Sequence, residues 1–177
     1  EFGPAVSNNT ADTELLVDNG DTIVIGGPSY FAIDVTITGR AAHAGMEPEK
    51  GINAIQAASK AIAALDLGRL DHETTANVGV INGGIIRNGV PDACSFLAEC
   101  RSLTHARAQE LADRMVATIK KEVTDFGAEV TVKVDNLCKA VDIPEDAETV
   151  EIAKQDLKAA GVEATTTFIT GFTDASI

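Results

Sequence analysis

The sequence predicts an α+β fold: a ferredoxin-like βαββαβ unit with a four-stranded antiparallel sheet that carries two helices on one face. Three observations lead to this prediction. A strand-like alternation of apolar residues runs from Tyr30 to Thr38, and two helix-like segments cover residues 52–65 and 104–126. Short apolar runs bounded by Gly, Asn and Pro lie between and after the helices. The 177 residues suffice for one ordinary domain with a short appendage.

The first predicted strand has a period of two residues. Its apolar positions are Phe31, Ile33, Val35 and Ile37, and the positions between them are small or polar. This alternation is typical of a strand with one buried face.

The first predicted helix follows a polar loop. Its apolar face is predicted to contain Ile52, Ile55, Ala58, Ile62 and Leu65, which recur at helical spacing. Gly68 then stands where a helix would stop. Two strands, over residues 76–81 and 93–100, form a predicted hairpin with an irregular connection.

The second predicted helix begins after Thr104, a plausible N-cap, and ends at Gly127. Its apolar positions are spaced by three or four: Ala108, Leu111, Met115, Ile119, Val123 and Phe126. The alternating residues Val130, Val132 and Val134 predict the fourth strand.

The chain is predicted to divide into three segments. Residues 1–27 form a leader and a short hairpin or linker, residues 28–140 the main domain, and residues 141–177 a truncated segment with one helix and one strand. One helix and one strand cannot bury a core, so we expect this segment to need a partner sheet outside the chain. The start at Glu1 without Met favours a processed or cloned fragment.

Composition and charge limit the possible partners. The formal charge of −13 repels phosphate backbones and anionic lipids, so nucleic acid and membrane surfaces are poor partners. No apolar run is long enough to span a bilayer, and no signal peptide is recognisable, so we expect a soluble, unexported chain. The three cysteines lack metal or redox spacing, which favours reduced, buried thiols in the cytoplasm.

The sequence contains few residues that could catalyse a reaction without groups from outside the chain. His43, His72 and His105 lie on three separate loops or helix ends, without the spacing of a metal site, so we expect this chain to bind no metal. By the residue pattern alone, each histidine is more often a solvated side chain than a ligand. His72 and His105 are interpreted as surface residues.

Polar and glycine residues concentrate in three turns. The first runs from Gly39 to Gly45 and continues through Pro48 to Ile55, the second comprises residues 77–84, and the third residues 88–101. In this order, on a βαββαβ scaffold, they resemble the lid, or dimerisation, domain of the zinc metallopeptidase family that includes peptidase T, aminoacylase and glutamate carboxypeptidase. Residues 74–77 and the Gly83-Gly84 turn resemble the peptidase T-like branch of this family in particular.

The resemblance implies roles for three residues. His43 matches the lid histidine that reaches the partner's catalytic centre and stabilises the oxyanion of the tetrahedral intermediate, whereas Asn88 and Arg101 match a pair that grips the substrate's carboxylate. Without the resemblance, Asn88 would be a turn former and Arg101 an edge charge. The implied enzyme is a homodimer paired through the lids, holds two zinc ions on residues outside this chain, and hydrolyses short peptides or N-acyl amino acids.

Two further implications concern the end of the chain and the fragment's activity. Residues 171–175 resemble the loop that returns to the catalytic domain, with Phe172 in place of a glycine. The isolated fragment is expected to be inactive, because the metal that polarises the scissile carbonyl is held elsewhere. The alternative is a stand-alone ferredoxin-like ligand-binding or regulatory module, since the same fold serves many functions.

Overall fold

The computed structural model describes residues 16–18 and 22–169, and within them the chain forms eleven strands, three α-helices and one short 3₁₀ turn. The strands are β1 (Leu16–Asp18), β2 (Thr22–Gly27), β3 (Ser29–Thr38), β4 (Ala42–His43), β5 (Gly68–Arg69), β6 (Thr74–Gly83), β7 (Gly89–Val90), β8 (Ala93–Ser102), β9 (Glu129–Cys138), β10 (Val141–Asp142) and β11 (Thr165–Phe168). The helices are α1 (Ala54–Ala63), α2 (His105–Phe126) and α3 (Glu148–Ala159), and the 3₁₀ turn is Pro48–Lys50.

The main sheet confirms the predicted α+β, βαββαβ arrangement. Its strand order is β5-β6-β8-β3-β9, and every neighbouring pair is antiparallel. The predicted four strands are β3, β6, β8 and β9, to which the structure adds β5 as a two-residue edge strand. The inner strand β3 pairs along its whole length with the central strand β8, from Ser29 opposite Ser102 to Thr38 opposite Ala93.

The main core lies between this sheet and the two helices α1 and α2. The alternating residues of β3 are buried as predicted, and they pack with Phe96, Leu111, Met115 and Ile119 in one cluster. Because the apolar residues of β3 point to one face and those of both helices meet them there, α1 and α2 cover the same side of the sheet.

Helix α1 differs from its prediction in length and in its buried face. It begins at Ala54 after Asn53, whose side chain accepts a hydrogen bond from the backbone N–H of Gln56 at 3.0 Å. Its fully buried residues are Ala54, Ala57, Ala58 and Ala61. Ile55 was predicted on the buried face but is 36% exposed. The helix ends at Ala63 rather than at Gly68, which lies in β5.

Helix α2 matches its prediction closely. Its buried positions include Ala108, Leu111, Met115, Ile119 and Val123, and Gly127 ends the helix in a left-handed conformation with φ of 91°. Thr104 is the N-cap residue as predicted, but its hydroxyl does not cap the helix. It instead lies 3.5 Å from the carboxylate of Glu73.

A second, smaller sheet corrects the prediction for the last segment of the chain. Strand β11 runs parallel to β2, and β1 and β10 pair antiparallel with β2. Ile23, Ile25 and Val150 of α3 form a separate core cluster there. The partner of this segment therefore lies within the chain, because the apolar strand β2 supplies it. The turn of the hairpin predicted within residues 1–27 and the 171–175 loop lie outside the described residues.

None of the helices in the described part of the chain combines the length and the apolar character needed to cross a membrane.

Candidate functional site

His43 and Asn88 are brought together by a two-stranded ribbon that sequence reasoning missed. In the ribbon β4 pairs with β7, so that His43 lies opposite Gly89. The backbone N–H of Ala44 also donates to the carbonyl of Asn88 at 3.0 Å. Both side chains are exposed. The pairing joins distant parts of the chain, and strands of two residues carry no readable alternation.

The ribbon is anchored to the main sheet by backbone contacts around Gly39. The N–H of Gly39 donates to the carbonyl of Asp92 at 2.8 Å, and Arg40 and Ile52 exchange two backbone hydrogen bonds of 2.9 Å. A Cβ atom on residue 39 would lie 2.1 Å from the carbonyl oxygen of Ile52. Glycine at this position therefore allows the close backbone approach that places the histidine loop.

The imidazole of His43 is held by its own loop. The backbone N–H of Gly45 donates to its Nδ1 at 3.2 Å. Since Nδ1 accepts this hydrogen bond, the neutral ring carries its proton on Nε2, which makes Nε2 a hydrogen-bond donor. The loop thus presents an exposed N–H group beside Asn88.

Arg101 lies at the opposite end of the main sheet. It stands across from Tyr30 at the start of β3, whereas the ribbon follows the other end, where Thr38 faces Ala93. The part of β8 that runs from Ala93 to Arg101 corresponds to about 26 Å of extended strand. Arg101 therefore does not meet His43 or Asn88 within one chain.

Arg101 sits in a half-buried cluster with Tyr30 and Glu99. Its guanidinium lies 4.4 Å from the centroid of the Tyr30 ring, and its Nη2 donates to Oε2 of Glu99 at 2.7 Å. Its buried Nε has no hydrogen-bond partner among the described residues. Burial and the hydrogen bond with Glu99 raise the pKa of the Tyr30 phenol. The cluster therefore holds the Arg101 guanidinium with an Nε–H group that can still donate a hydrogen bond.

The other two histidines differ from each other. His72 is exposed, as predicted. His105 is also exposed, as predicted, but it makes contacts that the sequence did not indicate: its Nδ1 lies 2.8 Å from the hydroxyl of buried Ser29, and its ring stacks on Phe31 at 5.8 Å between centroids. Asn136 donates to the same hydroxyl at 3.2 Å. Sequence reasoning missed this network, because its members are 76 and 107 residues apart.

The described residues do not fit a metal site. No three His, Cys, Asp or Glu side chains in residues 16–18 and 22–169 lie close enough to hold an ion. The three cysteines are free and buried. Any metal that belongs to a larger enzyme would need ligands outside this set.

Comparison with known proteins identifies relatives of this chain. Residues 28–126 match the family described as peptidase dimerisation domain, M20_dimer. The chain is 34% identical to aminopeptidase PepT from Bacillus cereus ATCC 10987, with a TM-score of 0.80 over 88% of this chain and 42% of that one. It is 32% identical to a tripeptidase from Staphylococcus aureus subsp. aureus Mu50, with a TM-score of 0.84 over 90% of this chain and 42% of that one.

The name of a third relative describes the hydrolysis of a different substrate. The chain is 35% identical over 117 residues to a p-aminobenzoyl-glutamate hydrolase polypeptide of Escherichia coli K12, covering 63% of this chain and 27% of that protein. The chain thus spans less than half the length of the relatives that it matches. With a family match over more than half of its residues, the chain belongs to the M20 peptidases and amidohydrolases, and residues 28–126 are its peptidase dimerisation domain.

Proposed function

We propose that this domain is the lid of a zinc-dependent exopeptidase or amidohydrolase that hydrolyses short peptides or N-acyl amino acids. The observation that carries the proposal is the loop of His43, where the Gly45 N–H occupies Nδ1 and leaves Nε2 as the donor. The relatives support the reaction class, since they are named as an aminopeptidase, a tripeptidase and a p-aminobenzoyl-glutamate hydrolase.

His43 is proposed to stabilise the oxyanion that forms when an amide bond is attacked. A neutral imidazole N–H is a suitable donor to developing negative charge, and one such donor contributes about 3 to 4 kcal/mol to lowering the barrier. Because the side chain of His43 is exposed, it is available to the catalytic centre of a second protomer. In the proposal it acts there, in trans.

Asn88 and Arg101 are proposed to bind the substrate's carboxylate. A guanidinium suits a planar anion, and an amide donor adds a second contact. The stretch of β8 from Ala93 to Arg101 is about 26 Å long, and Asn88 lies beyond its Ala93 end, so the two residues of one chain are far apart. Both can therefore reach one carboxylate only if one protomer contributes Asn88 and its partner contributes Arg101.

The remaining parts of the enzyme are assigned by the same proposal. Residues 28–140 form the lid, and residues 1–27 and 141–177 belong to the segments that lead into and out of the catalytic domain. Strand β2 and strands β10 and β11 pair in one sheet, which supports this division. Two zinc ions would be held by the catalytic domain, where a metal polarises the scissile carbonyl. Buried, free thiols suit the cytoplasm.

The test uses the full-length enzyme and a short peptide substrate. We expect His43→Ala to lower kcat by about 100- to 1,000-fold while the dimer persists in sedimentation. His72→Ala is the control, because that residue is also an exposed histidine but lies outside the ribbon. Unchanged turnover in His43→Ala would refute the oxyanion role. Stoichiometric binding of an amino acid by the purified chain in calorimetry would instead favour the stand-alone ligand-binding module.

A further inference from the structure

We propose that Tyr30 is a positioning residue: its side chain holds the Arg101 guanidinium in the orientation in which it binds the substrate's carboxylate. The inference deepens the proposed function and rests on it, because it concerns the arginine that is proposed to bind this carboxylate. It gives a role to a residue that the sequence indicated only as the start of a strand.

Tyr30 and Arg101 lie side by side on one face of the main sheet. They stand opposite each other in the pairing of β3 with β8. The next pair, Phe31 and Cys100, is buried in the core beneath the helices, so Tyr30 and Arg101 point to the other face of the sheet. The guanidinium lies 4.4 Å from the centroid of the Tyr30 ring. This distance is that of a cation–π contact.

The hydrogen bonds of Arg101 do not by themselves fix the plane of its guanidinium. Its Nη2 donates to Oε2 of Glu99 at 2.7 Å, and its buried Nε has no partner among the described residues. A carboxylate fixes a guanidinium most firmly through two parallel hydrogen bonds, whereas Glu99 accepts one. A single hydrogen bond permits rotation of the guanidinium. The stacked Tyr30 side chain is the contact that prevents this rotation.

A β-bulge fixes the backbone of Tyr30 in turn. Between Tyr30 and Phe31 the register of β3 against β9 shifts, because Leu137 is inserted between their partners. The side-chain amide of Asn136 contacts the carbonyl oxygens of Cys138 and Tyr30 at 3.1 and 3.4 Å. Bulges redirect side chains and are frequent next to active sites. The ring beside Arg101 therefore projects from a backbone that side-chain hydrogen bonds hold in place.

The orientation of Arg101 matters because a guanidinium binds a carboxylate best when the two groups share a plane. An arginine that is free to rotate must be ordered when the substrate binds, and this loss of freedom weakens binding. Stacking on Tyr30 orders the side chain before the substrate arrives. An effect of this kind changes KM and leaves kcat unaltered, because the contact is the same in the ground state and the transition state.

The test uses the full-length enzyme and two probes, the short peptide substrate and the same peptide with its C-terminal carboxylate converted to a carboxamide. We expect Tyr30→Leu to raise KM for the free peptide about tenfold at unchanged kcat, as for a partly buried cation–π contact. Tyr30→Phe keeps the ring, so its KM should stay within about threefold of the wild-type value. Neither variant should change KM for the carboxamide, which carries no charge at that end.

Thr75→Ala is the matched control, because Thr75 is the cross-strand neighbour of Arg101 on β6 and has no ring. Its KM for both peptides should equal that of the wild type. An unchanged KM for the free peptide in Tyr30→Leu, or an equal rise for both peptides, would overturn the positioning role.

Arg101→Gln separates this inference from the proposed function. If Arg101→Gln raises KM for the free peptide and Tyr30→Leu does not, the positioning role alone fails. If Arg101→Gln leaves that KM unchanged, the proposed role of Arg101 fails, and the role of Tyr30 fails with it.

A spectroscopic measurement tests the contact itself. Tyr30 is the only tyrosine of the chain, which has no tryptophan, so ultraviolet absorbance follows the ionisation of this one phenol. Burial raises the pKa of the phenol, and the charge of Arg101 lowers it. Arg101→Gln should therefore raise this pKa further in a titration of this chain. A pKa that is the same with and without the guanidinium would show that the two groups are not in contact, and would overturn the inference.

Discussion

The ability of Arg101 to bind a substrate carboxylate depends on the residues that surround its guanidinium. Its guanidinium is stacked on Tyr30 and paired with Glu99, so a substrate carboxylate that binds there must compete with an internal carboxylate. The Arg101 side chain is only 22% exposed, so a substrate carboxylate that replaces Glu99 has little bound water to displace. The sequence indicates the arginine but not this competition, because Tyr30 becomes its neighbour only through strand pairing.

The three thiols are expected to be unreactive in the folded chain. Burial raises the pKa of each, and for Cys100 burial together with the charges of Glu99 and Asp113 raises it to about 12. At pH 8 such a thiol is ionised in roughly one molecule in 10⁴. We expect Ellman's reagent at pH 8 to label the native chain very slowly, and the chain unfolded in guanidinium chloride to release three equivalents at once. Rapid labelling of any native thiol would contradict the packing described above.

Among the elements, helix α1 differs most from the buried face that its sequence periodicity predicts. Its buried face consists of alanines, and Ile55 is left at the surface beside Gly83, at the end of β6. Helical spacing cannot distinguish the two arrangements, because Ala54, Ala58 and Ala61 recur at the same intervals as the larger residues. The orientation of the helix is decided by its packing against the sheet and α2.

The turn between β5 and β6 is expected to make stability depend on acid pH. The hydrogen bond from Arg107 to Asp71 at 2.8 Å, and that from the Glu73 N–H at 2.9 Å, hold the pKa of Asp71 well below its usual range. The ionised form is favoured in the folded state, so this contribution is present above the unfolded pKa of about 3.9 and is lost as pH falls below it.

Asp71→Asn should therefore lower the melting temperature at pH 7 and differ less from the wild type at pH 3. Thermal unfolding followed by circular dichroism measures both values. Arg107→Gln removes the main cause of the pKa shift, so it should show the same loss at pH 7. An equal difference at both pH values would indicate that Asp71 acts by packing rather than by charge.

At the scale of the whole molecule, net charge opposes association. Each chain carries a formal charge of −13. Salt screens the repulsion between two such chains. Raising NaCl from about 50 to about 500 mM should therefore tighten the dimer of the proposed function several-fold in sedimentation equilibrium. Weaker association at high salt would mean that ion pairs hold the interface.

The sequence by itself determined the order of the elements. The alternation of Phe31, Ile33, Val35 and Ile37 and the long apolar repeat before Gly127 predict β3 and α2, since both patterns are local consequences of backbone geometry. The loop motifs around His43 and Asn88 led to the family that the comparison confirms. Their assignment to a site remains a prediction.

Only the tertiary structure decided which residues meet. The ribbon that joins His43 to Gly89, the Ser29–His105–Asn136 network and the pairing of β11 with β2 all connect distant segments. Each depends on strand register and on the direction of side chains, which local periodicity does not specify. For the same reason the sequence indicated His43, Asn88 and Arg101 together, whereas the length of β8 separates Arg101 from the other two within one chain.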